Sequence, residues 1–388
     1  MGEMIIKAGK VFTGETEKLL ENVGIRIVDD TIAEIKPIGE FSGKELVDYG
    51  DKVLMPGMFN CHVHLGTSHL PNTDPRNKTE RVIWALQNLK DLLESGVTTV
   101  RNQGSPDLLD VHLRDMVREG QITGPNIVAC GNAIVMTGGH GWKNGLQSDG
   151  ADECRKNARW LIREGVDSLK MMATGGVMTP NVLPGSPQLT YDELAAICDE
   201  ARKAQKFSSS HAQGSEGILN VVKAGITTVE HGIYLTDEII GLMLEKGTWL
   251  CPTLAAVHFI VINGEGKGIP EYAVQKAKMV ESDHMKSFEK AVKAGVKIAM
   301  GTDAGTPFNE HKNSWYEFKL MKEHGLSSFK ALQAGTIKAA EMLKLDGLYG
   351  SIREGKKADL VVLNENPLEN IETLQHIAAV YKHGKKVK

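Results

Sequence analysis

The chain has 388 residues, of which 41% are hydrophobic and 24% are charged, a profile typical of a soluble globular protein. This length exceeds one ordinary domain but is short for three. The formal net charge of −4 gives no reason to expect nucleic acid or an anionic membrane as a partner.

The first 55 residues are predicted to form short strands. Residues 5–10, 24–28 and 31–35 alternate or cluster β-branched side chains. After Pro56 the pattern changes, and strand-like segments begin to alternate with helix-like ones.

The central part of the chain predicts a barrel. Eight strand-like segments occur at residues 60–65, 98–102, 126–131, 168–173, 207–211, 227–231, 248–252 and 297–302. Helical periodicity lies between them, as at residues 80–95, 152–164, 191–204, 214–224 and 237–245. Several helices are followed by a glycine of the kind that caps a C-terminus: Gly96, Gly165, Gly225, Gly247 and Gly295. This alternation predicts an α/β protein with a (β/α)8 TIM-type barrel over residues 58–347.

The C-terminal part returns to strands after Leu348, at residues 350–352, 358–363 and 379–381. We expect the two chain ends, residues 1–57 and 348–388, to pair into a small β-domain beside the barrel. The basic run 382–388 is most simply a solvated tail.

The cysteines and the N-terminus indicate a compartment. The five cysteines are odd in number, scattered and without a Cys-x-x-Cys motif: Cys61, Cys130, Cys154, Cys198 and Cys251. Reduced thiols and a cytoplasmic protein are therefore expected. No signal-peptide pattern and no apolar run of membrane-spanning length is present in the sequence. Any metal would then be bound by nitrogen and oxygen ligands.

His62 and His64 form the most informative pair of residues. In an extended strand, side chains two positions apart point to the same side, so the two imidazoles are well placed to share a metal ion. A His-X-His pair alone also occurs by chance in loops.

Further polar residues fall at the carboxyl ends of the predicted strands, where barrel enzymes carry their chemistry. They are Lys170 in the fourth strand, His211 in the fifth, His231 in the sixth, Asp303 after the eighth, and His140 in the loop after the third. Singly, such residues are often satisfied polar groups, a snorkelling lysine or a helix cap. Together, at matching strand ends, they favour one shared site.

Lys170 needs a separate explanation, because a protonated ammonium cannot bind a metal. A lysine that has reacted with carbon dioxide is an anionic carbamate whose two oxygens can bridge two cations. The site would then hold two divalent ions with a position open for water, as catalytic sites do. Zinc fits best, and manganese, cobalt or nickel are also compatible.

The other histidines carry weaker signals. Those in helical or linker stretches are expected to be solvated: His112, His284, His324 and His376. Those in loops are left undecided: His69, His258 and His311.

These motifs resemble the amidohydrolase superfamily over nearly the whole chain. Residues 56–64 are similar to the family's first-strand metal motif, and residues 168–176 are similar to its carbamylated-lysine strand. The remaining ligand strands are similar to residues 210–212, 229–232 and 301–303. Residues 350–363 resemble the composite β-sandwich of that family, which gives residues 1–57 and 348–388 a sandwich fold. The runs 137–141 and 172–176 point to the Xaa-Pro dipeptidase and imidazolonepropionase-like subgroup.

The resemblance implies roles for the site residues. His62, His64 and Asp303 would hold one ion and His211 and His231 the other, with Lys170 as N6-carboxylysine between them. A metal-bridging hydroxide would attack the substrate carbonyl, with Asp303 as general base and then acid.

Two further residues are predicted to contact the substrate. His140 would hydrogen-bond the carbonyl or the oxyanion. Tyr234 would reach the substrate carboxylate or carbonyl, although a plain loop aromatic is about equally compatible.

The expected activity is hydrolysis of a C–N amide bond in a small peptide-like substrate, such as an Xaa-Pro dipeptide or an N-acyl amino acid. Opening of a cyclic amide is the first alternative. The resemblance disfavours deamination of a heterocycle. Mononuclear deaminases of this family lack the lysine and usually carry a glutamate shortly after the fifth-strand histidine, whereas here the first glutamate after His211 is Glu216. A non-enzymatic metal-binding protein is disfavoured by the open site. We expect no nucleic-acid or membrane partner, and homo-oligomers are compatible with the sequence.

The walls of the site are expected in the strand-to-helix loops, which set specificity in barrels. The candidate loops are residues 69–78, 141–150, 177–188 and 257–270.

Overall fold

The computed structural model describes residues 2–41, 46–71 and 73–388. The predicted domain range 1–57 and the loop 69–78 therefore contain positions outside the described residues. The strands are β1 (Glu3–Lys7), β2 (Lys10–Val11), β3 (Leu20–Glu21), β4 (Val23–Val28), β5 (Thr31–Pro37), β6 (Leu46–Asp48), β7 (Val53–Pro56), β8 (Met58–Val63), β9 (Val97–Asn102), β10 (Asn126–Val128), β11 (Ile134–Val135), β12 (Leu146–Gln147), β13 (Ser168–Met172), β14 (Phe207–Ala212), β15 (Thr228–His231), β16 (Trp249–Cys251), β17 (Leu360–Leu363), β18 (Ile377–Lys382) and β19 (Lys385–Lys386).

The α-helices lie mainly between the parallel strands. They are α1 (Lys78–Glu94), α2 (Leu109–Arg118), α3 (Ala151–Arg163), α4 (Tyr191–Lys203), α5 (Ser215–Lys223), α6 (Asp237–Lys246), α7 (Leu254–Asn263), α8 (Glu271–Ala294), α9 (Trp315–Glu323), α10 (Ser328–Ala334) and α11 (Ile337–Met342). Within the described residues, none of these helices combines the length and the apolar character that crossing a bilayer requires.

The ends of the chain meet in two sheets. One has the strand order β5-β4-β1-β6 and the other β19-β18-β17-β7-β2-β3. Side chains of the second sheet alternate between two hydrophobic cores. Leu360 and Val362 pack with Ile25 of the first sheet, whereas Val361 and Leu363 belong to the core formed with the helices around the parallel strands. The period-two geometry of a strand therefore lets this sheet serve both cores.

The parallel strands form two sheets, with the orders β10-β9-β8 and β12-β11-β13-β14-β15-β16. Between β10 and β13, the backbone N–H of Ser168 donates to the carbonyl of Ala129 at 3.1 Å, so the sheets are adjacent there. The mixed α/β content and the parallel sheets fit a TIM-type barrel.

The predicted strand at residues 297–302 is wrong as a regular element. An isolated bridge joins Leu250 to Ile298. Single backbone bonds also reach the neighbouring strands: the N–H of Ala299 donates to Leu250 at 3.0 Å, and that of Cys61 donates to Met300 at 2.8 Å. The N–H of Met300 donates instead to the carbonyl of Ala334, at the end of α10 (2.9 Å). A donor directed at a helix cannot take part in a strand ladder, and so this stretch lacks continuous pairing.

Two expectations for the C-terminal part are also wrong. Residues 350–352 form no strand, and Gly350 has a φ of 84°, a conformation suited to a turn. The run 382–388 is not a solvated tail, because β18 ends within it and β19 pairs with β18. Lys382 is buried and pairs with Asp359 at 2.7 Å, so this cation has a counter-ion inside the fold.

The predicted helix ends are confirmed. The five glycines that follow α1, α3, α5, α6 and α8 all have positive φ, from 69° to 87°: Gly96, Gly165, Gly225, Gly247 and Gly295. Glycine adopts this left-handed conformation without a Cβ clash, which ends each helix where the sequence indicates.

Candidate metal centre and active site

The six predicted metal ligands line one cavity of about 340 Å³. They are His62 in β8, His64 directly after it, Lys170 in β13, His211 in β14, His231 in β15 and Asp303 in the turn after residues 297–302. Met172 pairs with His211, and Ala212 with His231, in the parallel register. These residues therefore collect near the carboxyl ends of neighbouring strands.

Four of these residues have donor atoms that lie close to one another. The Nε2 atoms of His62 and His64 lie 3.3 and 3.0 Å from Oδ1 of Asp303. One donor atom each from His62, His231 and Asp303 lies within 4.8 Å of the others. Although both nitrogens are close, Oδ1 of Asp303 accepts no well-oriented hydrogen bond within the described residues. A buried carboxylate oxygen without such a partner is costly unless a cation satisfies it.

The backbone holds two of the predicted ligand residues in the left-handed region. His231 has a φ of 70° and Asp303 a φ of 61°. The N–H of Asp303 donates to the carbonyl of His62 at 2.8 Å, and that of His64 donates to the carbonyl of Ala304 at 2.8 Å. These bonds tie the turn that carries Asp303 to the end of β8.

Hydrogen bonds fix the outer nitrogens of two of the predicted ligand histidines. Nδ1 of His62 lies 2.7 Å from Oε2 of Glu230. Nδ1 of His231 lies 2.6 Å from the hydroxyl of Thr253, which donates to the carbonyl of Pro252. Both partners accept the Nδ1 proton in this arrangement, which leaves Nε2 unprotonated on the cavity side. Burial lowers the pKa of His231 well below its usual value, which also favours a neutral ligand.

A buried ion pair between Arg101 and Glu230 supports the Nδ1 side of the His62 ring. Nη2 of Arg101 donates to Oε1 of Glu230 at 2.7 Å, and both side chains are fully buried. Arg101 also donates to the carbonyl of Cys61 at 2.7 Å. Burial alone would raise the pKa of Glu230, but the Arg101 charge outweighs it and holds that pKa well below the usual range. Glu230 is therefore a carboxylate that can accept the proton of His62.

Lys170 is buried in the cavity without a counter-ion. It is 1% exposed, and no hydrogen bond or ion pair to its Nζ occurs within the described residues. Burial lowers the pKa of Lys170, which favours the neutral amine. A neutral amine is the form that reacts with carbon dioxide, and so the environment suits the predicted carbamate.

His140 stacks on a ligand histidine. Its ring lies 4.1 Å from that of His211, with an interplanar angle of 29°. Nδ1 of His140 lies 2.7 Å from the hydroxyl of Thr179, which also accepts the N–H of Gly176 at 3.1 Å. Burial lowers the pKa of His140 to about 4, so the ring is neutral near pH 7. In the tautomer in which the hydroxyl of Thr179 donates to Nδ1, Nε2 of His140 carries the proton and is a hydrogen-bond donor.

Tyr234 is placed differently from the other predicted site residues. It is not among the described residues that line the cavity. It packs against an apolar cluster that includes the lining residues Val177, Val257 and Ile260. Its contact with substrate stays a prediction.

The donor set fits divalent cations. Imidazole nitrogens and a carboxylate oxygen converge, the outer nitrogens of His62 and His231 are hydrogen-bonded, and the amine of Lys170 faces the same space. His231 lies close to both His62 and Asp303. The division of the ligands between two ions therefore stays a prediction.

His284, expected to be solvated, is buried. Its Nε2 lies 3.0 Å from the carbonyl of His231 and 2.8 Å from that of Pro252, so it supports the backbone of a ligand strand. A helix residue becomes buried when its face packs on the strands, which a single position does not reveal. The undecided His311 is also buried, whereas His258 is partly exposed and its Nδ1 lies 2.9 Å from Glu281.

Several residues of the site were not predicted. Three residues that hydrogen-bond to the predicted ligands or to their partners lie in no metal-ligand sequence motif: Glu230, Arg101 and Thr253. The available signal was an ionisable residue next to valine inside each of two predicted strands, at positions 101 and 230. Buried charges of this kind need partners, which points to a paired site.

Comparisons with known proteins agree with this geometry. A model of the amidohydrolase family matches residues 53–387. Ochratoxinase from Aspergillus niger is 31% identical over 98% of this chain and 86% of its own length. A solved Xaa-Pro dipeptidase with methionine bound in its active site has a TM-score of 0.94 and 32% identity over 100% of both chains. A prolidase complexed with N-methylphosphonate-L-proline has a TM-score of 0.92 and 30% identity, also over 100% of both chains. The chain belongs to the amidohydrolase family.

Proposed function

We propose that this protein is a binuclear metal-dependent hydrolase that cleaves a C–N amide bond in a small peptide-like substrate. The substrate would be a dipeptide such as Xaa-Pro, or an N-acyl amino acid, with a free C-terminal carboxylate. The observation that carries the proposal is the convergence of His62, His64, His231 and Asp303 in a cavity that also holds the unpaired amine of Lys170. The similarity to an Xaa-Pro dipeptidase and a prolidase over the full chain supports the choice of substrate.

The metal ligands would be those predicted from the sequence. His62, His64, His211, His231 and Asp303 would hold two divalent ions, most suitably zinc, with Lys170 between them as N6-carboxylysine. When bound, such ions lower the pKa of a water molecule towards neutrality and polarise a carbonyl group.

The side chains of the chain itself would move protons and orient the substrate. Asp303, whose Oδ1 has no well-oriented hydrogen bond within the described residues, would accept the proton of the attacking water and deliver it to the leaving amine. His140 would donate from Nε2 to the substrate carbonyl oxygen and stabilise the charge that develops there. Tyr234 remains a proposed contact to the carboxylate or carbonyl.

The proposal includes the architecture of the chain and its compartment in the cell. The parallel strands would close into a (β/α)8 barrel, and the two end sheets would form the composite β-sandwich. The five cysteines are free and buried, which supports a reducing, cytoplasmic setting. We expect small molecules and no nucleic acid or membrane as partners, with homo-oligomers compatible.

A substrate screen with metal-loaded protein tests the function. The protein would be loaded with zinc or manganese in the presence of bicarbonate. It would then be assayed on Xaa-Pro, Xaa-Arg and Xaa-hydrophobic dipeptides, N-acyl amino acids, hydantoins and imidazolones. Amide cleavage that releases a free amino acid supports the proposal. Ring opening without peptide cleavage would replace it with a cyclic-amide hydrolase, and ammonia release from a heterocycle with a deaminase.

Lys170→Ala tests the bridging role. We expect loss of tightly bound metal and of turnover by at least 100-fold, because removing a ligand or its support weakens the site strongly. Thermal unfolding should show that the variant still folds. Lys322→Ala, at an exposed lysine of α9, is the control and should retain both metal and activity. Two tightly bound ions with full turnover in Lys170→Ala would contradict the assignment.

A further inference from the structure

Arg81 is a cation of the cavity that lies outside the ligand group. It is near the start of α1, is partly buried and lines the same cavity as His64 and Lys170. Its side chain passes directly over Gly66, since a Cβ at that glycine would lie 3.0 Å from Cγ of Arg81. Gly66 follows His64 by two residues, and it is the missing side chain at position 66 that leaves room for the arginine beside the candidate metal centre.

The guanidinium group has few partners of its own. Within the described residues its one hydrogen bond runs from Nη2 to Oδ1 of Asn144, at a long 3.4 Å. A guanidinium has five N–H donors in a planar fork, so most of them are unused. Burial lowers the pKa of Arg81, yet an arginine remains charged at neutral pH. A partly desolvated cation with unused donors is stabilised by an anion.

The nearby acidic side chains are already paired. Asp107 accepts from Nζ of Lys78 at 2.9 Å, and Asp74 lies 3.3 Å from Nζ of Lys143. Neither lines the cavity, and no ion pair of Arg81 occurs within the described residues. The anion that fits Arg81 is therefore not supplied by the described part of the chain.

The cavity has an apolar wall made by other loops. Val177 and Met178 follow β13, while Val257 and Ile260 lie on α7, after β16. Asp303, within the group of predicted ligands, is the only carboxylate among the described residues that line the cavity. A small molecule bound in this cavity would thus contact the predicted metal-ligand residues at one place, a single guanidinium at another and apolar side chains at a third.

We propose that Arg81 is a specificity-determining residue that binds the C-terminal carboxylate of the substrate. This inference rests on the proposed function and narrows its substrate class. The substrates would be N-acyl or N-aminoacyl amino acids with a free carboxylate and an uncharged side chain that packs on the apolar wall. A guanidinium can hold a carboxylate by two parallel hydrogen bonds, which fixes the position of the neighbouring amide.

Matched substrates separate this role from general stability. For the best dipeptide from the screen and for its C-terminal carboxamide, kcat and KM would be measured with wild type, Arg81→Met and Arg81→Lys. We expect wild type to prefer the acid. Arg81→Met should raise KM for the acid by roughly 10- to 100-fold, the usual effect of losing a charged hydrogen bond. It should change the carboxamide little, and Arg81→Lys should restore part of the preference. Lys143→Met removes a neighbouring charge outside the cavity and should leave the preference unchanged.

Binding measurements keep the test independent of turnover. Calorimetry would compare 3-phenylpropanoate with 3-phenylpropan-1-ol, neither of which contains an amide bond that the enzyme could cleave, on metal-loaded protein. We expect binding of the acid by wild type and a loss of about 10-fold or more in Arg81→Met. If wild type cleaves amides but Arg81→Met keeps the same ratio of acid to carboxamide, the role of Arg81 is wrong while the proposed function stands. If wild type binds neither probe, or both equally, the role is also wrong. If wild type binds the acid through Arg81 but cleaves no amide, only the proposed function fails.

Discussion

Thr253 shows how one residue outside the ligand set can control a ligand. Its hydroxyl lies 2.6 Å from Nδ1 of His231 and donates to the carbonyl of Pro252. That donation leaves the oxygen as the acceptor for the imidazole proton. The hydroxyl therefore selects the tautomer in which Nε2 is free to bind a metal.

Replacing Thr253 tests this control. Thr253→Val keeps the shape and the β-branch but removes the acceptor. We therefore expect metal affinity, measured by competition with a chelator, to fall by about 10- to 100-fold. Thr253→Ser retains the hydroxyl and should bind metal within a few-fold of wild type. Equal affinities in Thr253→Val and wild type would show that Thr253 does not set the tautomer.

At the residue scale, the sequence predicted the candidate ligands better than their supports. His62 and His211 stand at the ends of recognisable strands, and residue type and position together mark them. Glu230 contacts His62 across 168 positions of sequence. Such a contact depends on which strands approach each other inside the fold, and no local pattern carries that information. The same limit hid Arg81, whose position over Gly66 depends on the path of a loop.

At the element scale, α3 and α4 are joined by a charged cluster. Nη1 of Arg155 lies 2.8 Å from Oε1 of Glu200, and Nη2 of Arg159 lies 3.0 Å from the same oxygen. The side chain of Glu200 is 8% exposed, whereas that of Arg159 is 60% exposed. Hydrogen bonding from Arg159 lowers the pKa of Glu200 to about 2.

Glu200→Gln should weaken this helix pair in a pH-dependent way. A carboxylate with a depressed folded-state pKa stabilises the fold above its unfolded value, near 4.5, and loses that contribution as pH falls towards 2. Because the arginines are partly solvated, we expect a loss of about 1 to 2 kcal/mol in the free energy of unfolding at pH 7. The difference from wild type should shrink progressively below pH 4.5.

Denaturant unfolding at several pH values measures this effect. Glu245→Gln, at an exposed carboxylate of α6 that makes no ion pair within the described residues, is the control and should change the free energy of unfolding little at any of these pH values. A loss that is constant between pH 7 and pH 3 would instead indicate a packing effect of the amide.

The element boundaries illustrate what periodicity can and cannot predict. Helix α4 begins at Tyr191, as expected, because Thr190 accepts from the N–H of Glu193 in a capping box. The stretch 297–302 carries strand-like residues, yet Met300 bonds to a helix end. Local sequence patterns therefore predicted where the helix begins, whereas tertiary contacts decided whether a strand-like stretch pairs as a regular strand.

On the scale of the whole molecule, one sheet is shared by two cores. Val361 packs with the core around the parallel strands and Leu360 with the core of the end sheets. The strand pattern indicated that the chain ends form β-structure, and the alternation of strands and helices indicated a barrel. It did not reveal that the two cores share strands, because a buried strand is apolar on both faces.

Deleting residues 348–388 should therefore prevent folding of the remaining chain. The deletion removes β17 and β18 and exposes apolar side chains of β7 and α1 that they cover. We expect a chain ending at residue 347 to be insoluble or to lack a cooperative thermal transition. A chain ending at Lys385, which loses only edge residues, should fold with a slightly lower Tm. A well-folded, cooperative 1–347 fragment would show that the cores are independent.

The left-handed backbone at His231 and Asp303 sets a limit on engineering this protein. Replacement by glycine at either position would relax the main chain, since non-glycine residues adopt such angles at a cost. The same replacement would delete the imidazole or carboxylate of the proposed metal centre. Higher thermal stability and retention of the proposed metal-binding side chains are therefore incompatible at these two positions. Stabilising substitutions have to be sought elsewhere in the molecule.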